Sequence, residues 1–233
     1  MATLVTGANG FVGRHVVARV AGAIPLTREH ADLSNELPEL PRVETVSHCA
    51  AELDDPARMR AVNVDGTRRL LEWSVENGVS TFVFISTGGS AGLYAETKRE
   101  AEELVRASGL HAQVLRLFFP YGAGQRPRRL VPRLIESVRE GKAIAIREDG
   151  GPCLSLTYID DVADAIVRAC DARASDTRDV GGEAVSVQRI AETIGTLLSR
   201  EPRFALRTDA PPDLIARPVM RGVSLEEGLR RCV

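Results

Sequence analysis

With 233 residues, 44% of them hydrophobic, the chain can bury a full core and divides most simply into one large domain and a small lobe. Its formal net charge of −2 gives no electrostatic reason to expect nucleic acid or an anionic membrane as partner. The four cysteines, Cys49, Cys153, Cys170 and Cys232, have neither metal nor C-x-x-C spacing. Together with a first strand that starts at residue 2 and no apolar run of spanning length, they lead to the expectation of a cytoplasmic protein without signal peptide or membrane segment.

In chain order, Ala2 to Thr6 is an apolar, β-branched run expected as a buried parallel strand. T-G-A-N-G-F-V-G follows, and then a periodic segment, Phe11 to Ala21, expected as a helix. Gly7 suits the tight turn out of the strand, Gly10 a close approach of backbone to a pyrophosphate, and Gly13 a helix lying close on the sheet. Strand, glycine loop and helix in this order form the context that makes the pattern a dinucleotide fingerprint. Ala23 to Thr27 and Glu44 to His48 are the next strands, and Asp55-Pro56 starts a helix that Asn77-Gly78 ends. Thr81 to Ser86 is expected as a strand, Tyr94 to Ala107 as a helix and Ala112 to Phe118 as a strand.

That βα alternation predicts an α/β fold: a doubly wound parallel sheet of Rossmann type with right-handed crossovers. Beyond Tyr121 the texture changes to a basic stretch, a helix to Glu140, a strand at 143–147, and helices at 161–171, 187–199 and near Leu225. The expected division is a dinucleotide-binding core over 1–122 and a small C-terminal substrate lobe over 123–233, interleaved with the last sheet elements.

Tyr94 and Lys98 carry the chemistry. They stand four residues apart in Y-A-E-T-K, so on a helix they share one face. A lysine charge beside a phenol lowers its pKa from about 10 and makes it a usable proton donor and acceptor. The four histidines are dispersed, without the carboxylate or cysteine spacing of a metal site, so no metal is expected. Asp160-Asp161 reads as helix capping and packing and not as a catalytic pair.

These motifs together resemble the extended short-chain dehydrogenase/reductase superfamily, in its NAD(P)-dependent epimerase/dehydratase branch. The resemblance runs through T-G-A-N-G-F-V-G, H-C-A-A at 48–51, N-V-D-G-T at 63–67, F-I-S-T ending at Thr87, Y-A-E-T-K, P-Y-G-A-G at 120–124, Y-I-D-D-V-A and S-L-E-E-G-L. It implies Tyr94 as general acid/base, Lys98 as the residue that holds the nicotinamide ribose and tunes the phenol, and Thr87 as a hydrogen bond to the reacting oxygen, with Ser86 and Ser90 as alternative hydroxyls. It further implies cofactor contacts at Gly7, Asn9, Gly10, Phe11, Val12, Gly13, Arg28, Asp32, Leu33, Ala50, Ala51, Asn63, Lys98 and Pro120. Homodimerisation through the helices at 57–77 and 94–107 is the partner arrangement it suggests.

NAD against NADP turns on the tip of the second strand, where Thr27-Arg28 tilts the expectation toward NADP and leaves NAD as the alternative. Three departures bear on the substrate. Only G-G-S-A-G-L links Thr87 to Tyr94 where relatives carry a longer wall, and Gly88-Gly89 cannot supply a dehydratase's acid and base. Phe119 and Leu154 replace an expected Asn and a phosphate-binding Arg, while Arg126, Arg128, Arg129 and Arg133 cluster nearby as substitute phosphate contacts or as a solvated face. The expected activity is hydride transfer at a sugar carbinol or ketone, by a nucleotide-sugar epimerase or a ketoreductase. The alternatives are a carbonyl reductase for a non-nucleotide small molecule and a non-catalytic cofactor sensor.

Overall fold

The computed structural model describes residues 2–89, 91–209 and 211–233. The strands are β1 (Thr3–Thr6), β2 (Ala23–Leu26), β3 (Thr45–His48), β4 (Thr81–Thr87), β5 (His111–Leu117), β6 (Pro120–Tyr121), β7 (Ala143–Ile146), β8 (Cys153–Ser155), β9 (Thr157–Tyr158), β10 (Asp176–Val180), β11 (Ala184–Ser186) and β12 (Arg203–Leu206). The α-helices are α1 (Gly13–Val17), α2 (Pro56–Arg60), α3 (Gly66–Glu76), α4 (Leu93–Ala107), α5 (Leu130–Glu140), α6 (Ile159–Cys170), α7 (Val187–Leu198) and α8 (Leu225–Arg230). A π-helical turn, Ala61–Asp65, joins α2 to α3.

Six strands form one sheet in the order β10-β5-β4-β3-β1-β2. The pairs β1–β2, β1–β3 and β3–β4 are parallel, with Thr6 opposite Leu26 and His48, and His48 opposite Phe84. Order reverses between β1 and β3, since β2 lies on one side of β1 and β3 on the other. In open α/β sheets that reversal creates the ligand crevice at the carboxyl ends of the strands. β1, β3 and β4 are buried nearly throughout, as strands covered on both faces require. Leu4, Val46, Phe82, Phe84 and Val114 from the strands pack with Leu70, Ala101 and Val105 from α3 and α4 to form the core.

Several local expectations are met by identifiable chemistry. Asp55 caps α2 by accepting from the Ala57 N–H at 3.0 Å, with Pro56 in the first turn. Gly141, at φ +67°, ends α5 in the left-handed region that glycine favours. The helix expected over Phe11–Ala21 is confined to Gly13–Val17, and the chain from Ala18 to Val20 turns back toward β2 through N–H donors to Arg14 and Val16 carbonyls.

By contacts the chain divides into two compact units. Met1–Arg116 with Val162–Arg178 form the first, and Leu117–Asp161 with Asp179–Val233 the second. Within the second, β6 pairs with β9, β7 with β12 and β8 with β11. Asp161 accepts from the Val223 N–H at 2.9 Å and Asp160 pairs with Arg231 at 3.2 Å, so both carboxylates anchor the C-terminal segment. Among the described residues no helix is long and apolar enough to cross a membrane, and no group of His, Cys, Asp and Glu could hold a metal.

Candidate active site

The parallel register brings the ends of β1, β3 and β4 to one edge of the sheet, and the first unit's expected site residues follow from them. The glycine loop leaves β1 through Gly7 at φ +63°. Gly10 N–H donates to Gly7 O at 2.8 Å, which folds the loop over. A Cβ at Gly7 would lie 2.7 Å from Ala50 Cα, and one at Gly13 would lie 2.2 Å from Gly7 O. Neither obstacle is a movable side chain, so the loop is built for glycine. Asn9 and Gly10 are exposed at its tip, and Phe11 and Val12 are half-buried behind it.

At the tip of β2, Arg28 is exposed and engaged by carboxylates, 3.3 Å from Glu52 and 3.6 Å from Asp32. Asp32 is also held by the Arg58 guanidinium and by the backbone N–H and hydroxyl of Ser34, which keep its carboxyl well below the usual range. Leu33 is buried, and a Cβ on Gly66 would meet its carbonyl oxygen at 2.6 Å, so α3 packs there only because residue 66 is glycine.

Ala50 and Ala51, after β3, are half-buried. Asn63 lies in the π turn and is 1% exposed. Its amide accepts from the Glu52 N–H and donates to Glu52 O and Thr97 Oγ1. Both amide hydrogens are therefore bonded within the protein, to the loop after β3 and to α4. π turns recur where a side chain must be re-aimed, and this one turns Asn63 toward the loop after β3 and toward α4.

Thr87, half-buried at the end of β4, accepts from the Gly89 N–H at 3.0 Å and keeps its own hydroxyl hydrogen for another acceptor. The short link to Tyr94 is also held by Arg99, which donates to Gly89 O at 3.2 Å, and Gly92 enters α4 at φ +88°. Ser90 lies outside the described residues. Ser86 is buried and gives its proton to Glu102, so it belongs to a packing cluster. Glu102 itself is 0% exposed; burial alone would raise its carboxyl, but hydrogen bonds from Arg116 and Ser86 outweigh that and hold it low.

Tyr94 is half-buried in the first turn of α4, one turn before Lys98. Lys98 is 1% exposed, and its Nζ has no hydrogen-bond partner among the described residues. The ammonium sits 3.9 Å from the centre of the Phe84 ring. Burial pushes its pKa down to about 7, against the smaller upward pull of Cys49 and Glu102. A buried polar atom without a partner, in the same unit as a loop that admits no Cβ, fits a ligand with a hydroxyl-bearing ribose and a diphosphate.

In the second unit, Phe119 adopts φ +36°, a conformation that β-carbon-bearing residues avoid and that Asn tolerates better than Phe. Pro120 opens β6 and its carbonyl accepts from Gln125 Nε2 at 2.6 Å. Arg126, Arg128 and Arg133 are exposed, and Arg129, half-buried, precedes α5. Leu154 is buried in β8.

The sequence profile described as "NAD dependent epimerase/dehydratase family" matches residues 3–181. The UDP-glucuronate 4-epimerase of Thermodesulfobacterium geofontis (strain OPF15) is 28% identical over 217 residues, 78% of this chain and 67% of its own. Among solved structures, the UDP-glucose 4-epimerase of Thermotoga maritima with UDP-glucose is similar with a TM-score of 0.82 at 25% identity, over 99% of this chain and 96% of that one. MoeE5 in complex with UDP-glucose and NAD is similar with a TM-score of 0.80 at 25% identity, over 99% and 97%.

Proposed function

Because the chain belongs to the NAD dependent epimerase/dehydratase family, we propose that it moves hydride at a carbinol or ketone carbon of a nucleotide sugar, as an epimerase or a ketoreductase. The observation that carries this reading is the placement of Tyr94 and Lys98 one turn apart on α4, in the same unit as the glycine loop at the sheet's reversal point. A bound dinucleotide would supply the hydride acceptor or donor. Tyr94 exchanges the accompanying proton with the substrate oxygen, and Thr87 donates its spare hydroxyl hydrogen to that oxygen. Lys98 holds the ribose and biases the phenol toward its anion. The glycine loop, Ala50 and Ala51 line the dinucleotide. The relatives that act on or bind UDP-sugars support the substrate class. In the second unit, Arg126, Arg129 and Arg133 are the proposed diphosphate contacts, and Phe119 and Pro120 the proposed wall.

NAD is the dinucleotide we propose. A 2′-phosphate meeting Arg28 would also meet Asp32 and Glu52, two carboxylates already engaged with that guanidinium. The NAD found with MoeE5 supports the same choice. Buried Leu154 favours a second reading, reduction of a carbonyl compound without a diphosphate, because a leucine in β8 offers no phosphate contact. We also propose a homodimer through α3 and α4, and a reducing, cytoplasmic location, which the four scattered thiols support.

The test is turnover of a UDP-sugar panel by wild type and Tyr94→Phe. The variant should lose turnover while its NAD affinity stays within about threefold, a pure loss of transition-state stabilisation. Unchanged turnover would remove Tyr94 from the mechanism. Epimerisation leaves total NADH constant, whereas reduction consumes it mole for mole.

A further inference from the structure

His48 closes β3 and is 1% exposed, with both ring nitrogens hydrogen-bonded to hydroxyls from different elements. Nδ1 lies 2.7 Å from Thr6 Oγ1, at the end of β1, and Nε2 lies 3.0 Å from Thr67 Oγ1, in the first turn of α3. The proton directions follow from counting hydrogens. Thr67 gives its single hydroxyl hydrogen to the Asn63 carbonyl, 2.7 Å away, so toward His48 it can only accept. The imidazole proton is therefore on Nε2. Nδ1 is then an acceptor, Thr6 donates to it, and the Thr6 oxygen takes the Ala50 N–H at 3.1 Å.

The chain continues on the far side. Asn63 Nδ2 donates to Thr97 Oγ1 at 3.1 Å, and Thr97 donates to the Tyr94 carbonyl at 2.9 Å. Each hydrogen in this series has one acceptor; the links as far as Thr97 join different elements, and the last lies within the first turn of α4. Phe82 and Phe84 close the ring's surroundings, with centroids 5.9 and 5.7 Å away. The ionisable neighbours are Lys98 and the Cys49 thiol, and burial pushes that thiol up to about 11. Burial, with Lys98 adding to it, keeps the imidazole neutral down to about 3.

We propose that His48 is a positioning residue. As a neutral, single-tautomer spacer, it fixes the strand that carries the glycine loop against the helical turn that carries Asn63. Through Asn63 and Thr97 it sets the first turn of α4, and with it Tyr94. A proton on Nδ1 would oppose the Thr6 hydroxyl and break the series at its centre. The consequence for turnover rests on Tyr94 acting as the proton donor; the tautomer does not.

Two measurements test this. In uniformly ¹⁵N-labelled ligand-free protein, the His48 ring should show the Nε2–H tautomer unchanged from pH 5 to 8. An Nδ1–H tautomer, or titration within that range, overturns the proposal without reference to substrate. Thr67→Val removes the acceptor for Nε2–H at nearly constant shape. It should lower kcat at least tenfold and leave the Kd for NAD within threefold, and Thr67→Ser should restore kcat. A folded Thr67→Val protein with unchanged kcat, or equal losses in Thr67→Val and Thr67→Ser, overturns the coupling to Tyr94. Failure of the functional reading is seen separately, as a wild type that turns over none of the panel.

Discussion

The ammonium of Lys98 lies 3.9 Å from the centre of the Phe84 ring, buried under α4 with no hydrogen-bond acceptor among the described residues. The ring face offers a cation some electrostatic return, but far less than the water it has lost. Lys98 is thus held ready at a cost to the folded protein, and that cost depends on pH.

In the folded protein the lysine's pKa falls from 10.5 to about 7, so between these values the unfolded chain binds more protons. Stability therefore rises with pH across that window, and the penalty is complete below about 7. Lys98→Met should make the ligand-free protein more stable at pH 6 by roughly 4 kcal/mol, and the gain should shrink to about 1 kcal/mol by pH 9.5. Urea unfolding at the two pH values reads both, and a pH-independent gain would contradict the assigned burial.

Gly13→Ala places a methyl group 2.2 Å from Gly7 O, so the glycine loop must open. NAD affinity should fall at least tenfold by titration of intrinsic fluorescence. Gly78→Ala provides the control, because its Cβ meets nothing within 4 Å and only its φ of +70° opposes the change. It should cost about 1 kcal/mol of stability and leave NAD binding unaltered. Equal binding by the two variants would detach the loop from the cofactor.

Arg28→Ala should change NADP affinity less than threefold, since the guanidinium is already held by Glu52 and Asp32. Asp32→Ala removes a carboxylate that Arg58 and Ser34 keep ionised, and should narrow the preference for NAD. Competitive binding of the two dinucleotides measures both; a large NADP loss in Arg28→Ala would restore that arginine as a 2′-phosphate contact.

Val75 is 51% exposed at a groove of about 360 Å³ between α3 and α4, lined also by Leu71, Leu104 and Ala107. Sedimentation should find a dimer, and Val75→Glu should convert it to monomer with an unchanged far-ultraviolet spectrum. A wild-type monomer at micromolar concentration would exclude this face as the interface.

The parts legible in the sequence are those whose cause is local. Asp55-Pro56 carries its own capping chemistry, the apolar runs of β1 and β4 announce burial on both faces, and Gly7 and Gly13 mark a loop that admits no Cβ. The π turn was illegible because it exists to bring Asn63 to the backbone of Glu52, which no helical periodicity encodes. His48 read as one of four dispersed histidines because Thr6 and Thr67, 42 and 19 residues away, meet it only once three elements have packed. Strands such as β6 and β9, two residues each, are too short to show an alternation. Arg28 was legible as a residue but not as an ion-paired one, since Glu52 reaches it from another strand's loop.

The end of the sheet at β2 carries a consequence for association. Thr3 N–H and Ala8 N–H are donated to Gly22 O and Leu26 O, so these carbonyls face β1, and Pro25, one residue out of phase with them, faces outward and is exposed. A proline there presents no N–H to an incoming strand, and its ring occupies the line along which one would approach. The edge is chemically blunted. A strand from another molecule pairing at this margin would meet a ring where it needs a donor, so sheet-to-sheet association is disfavoured at β2.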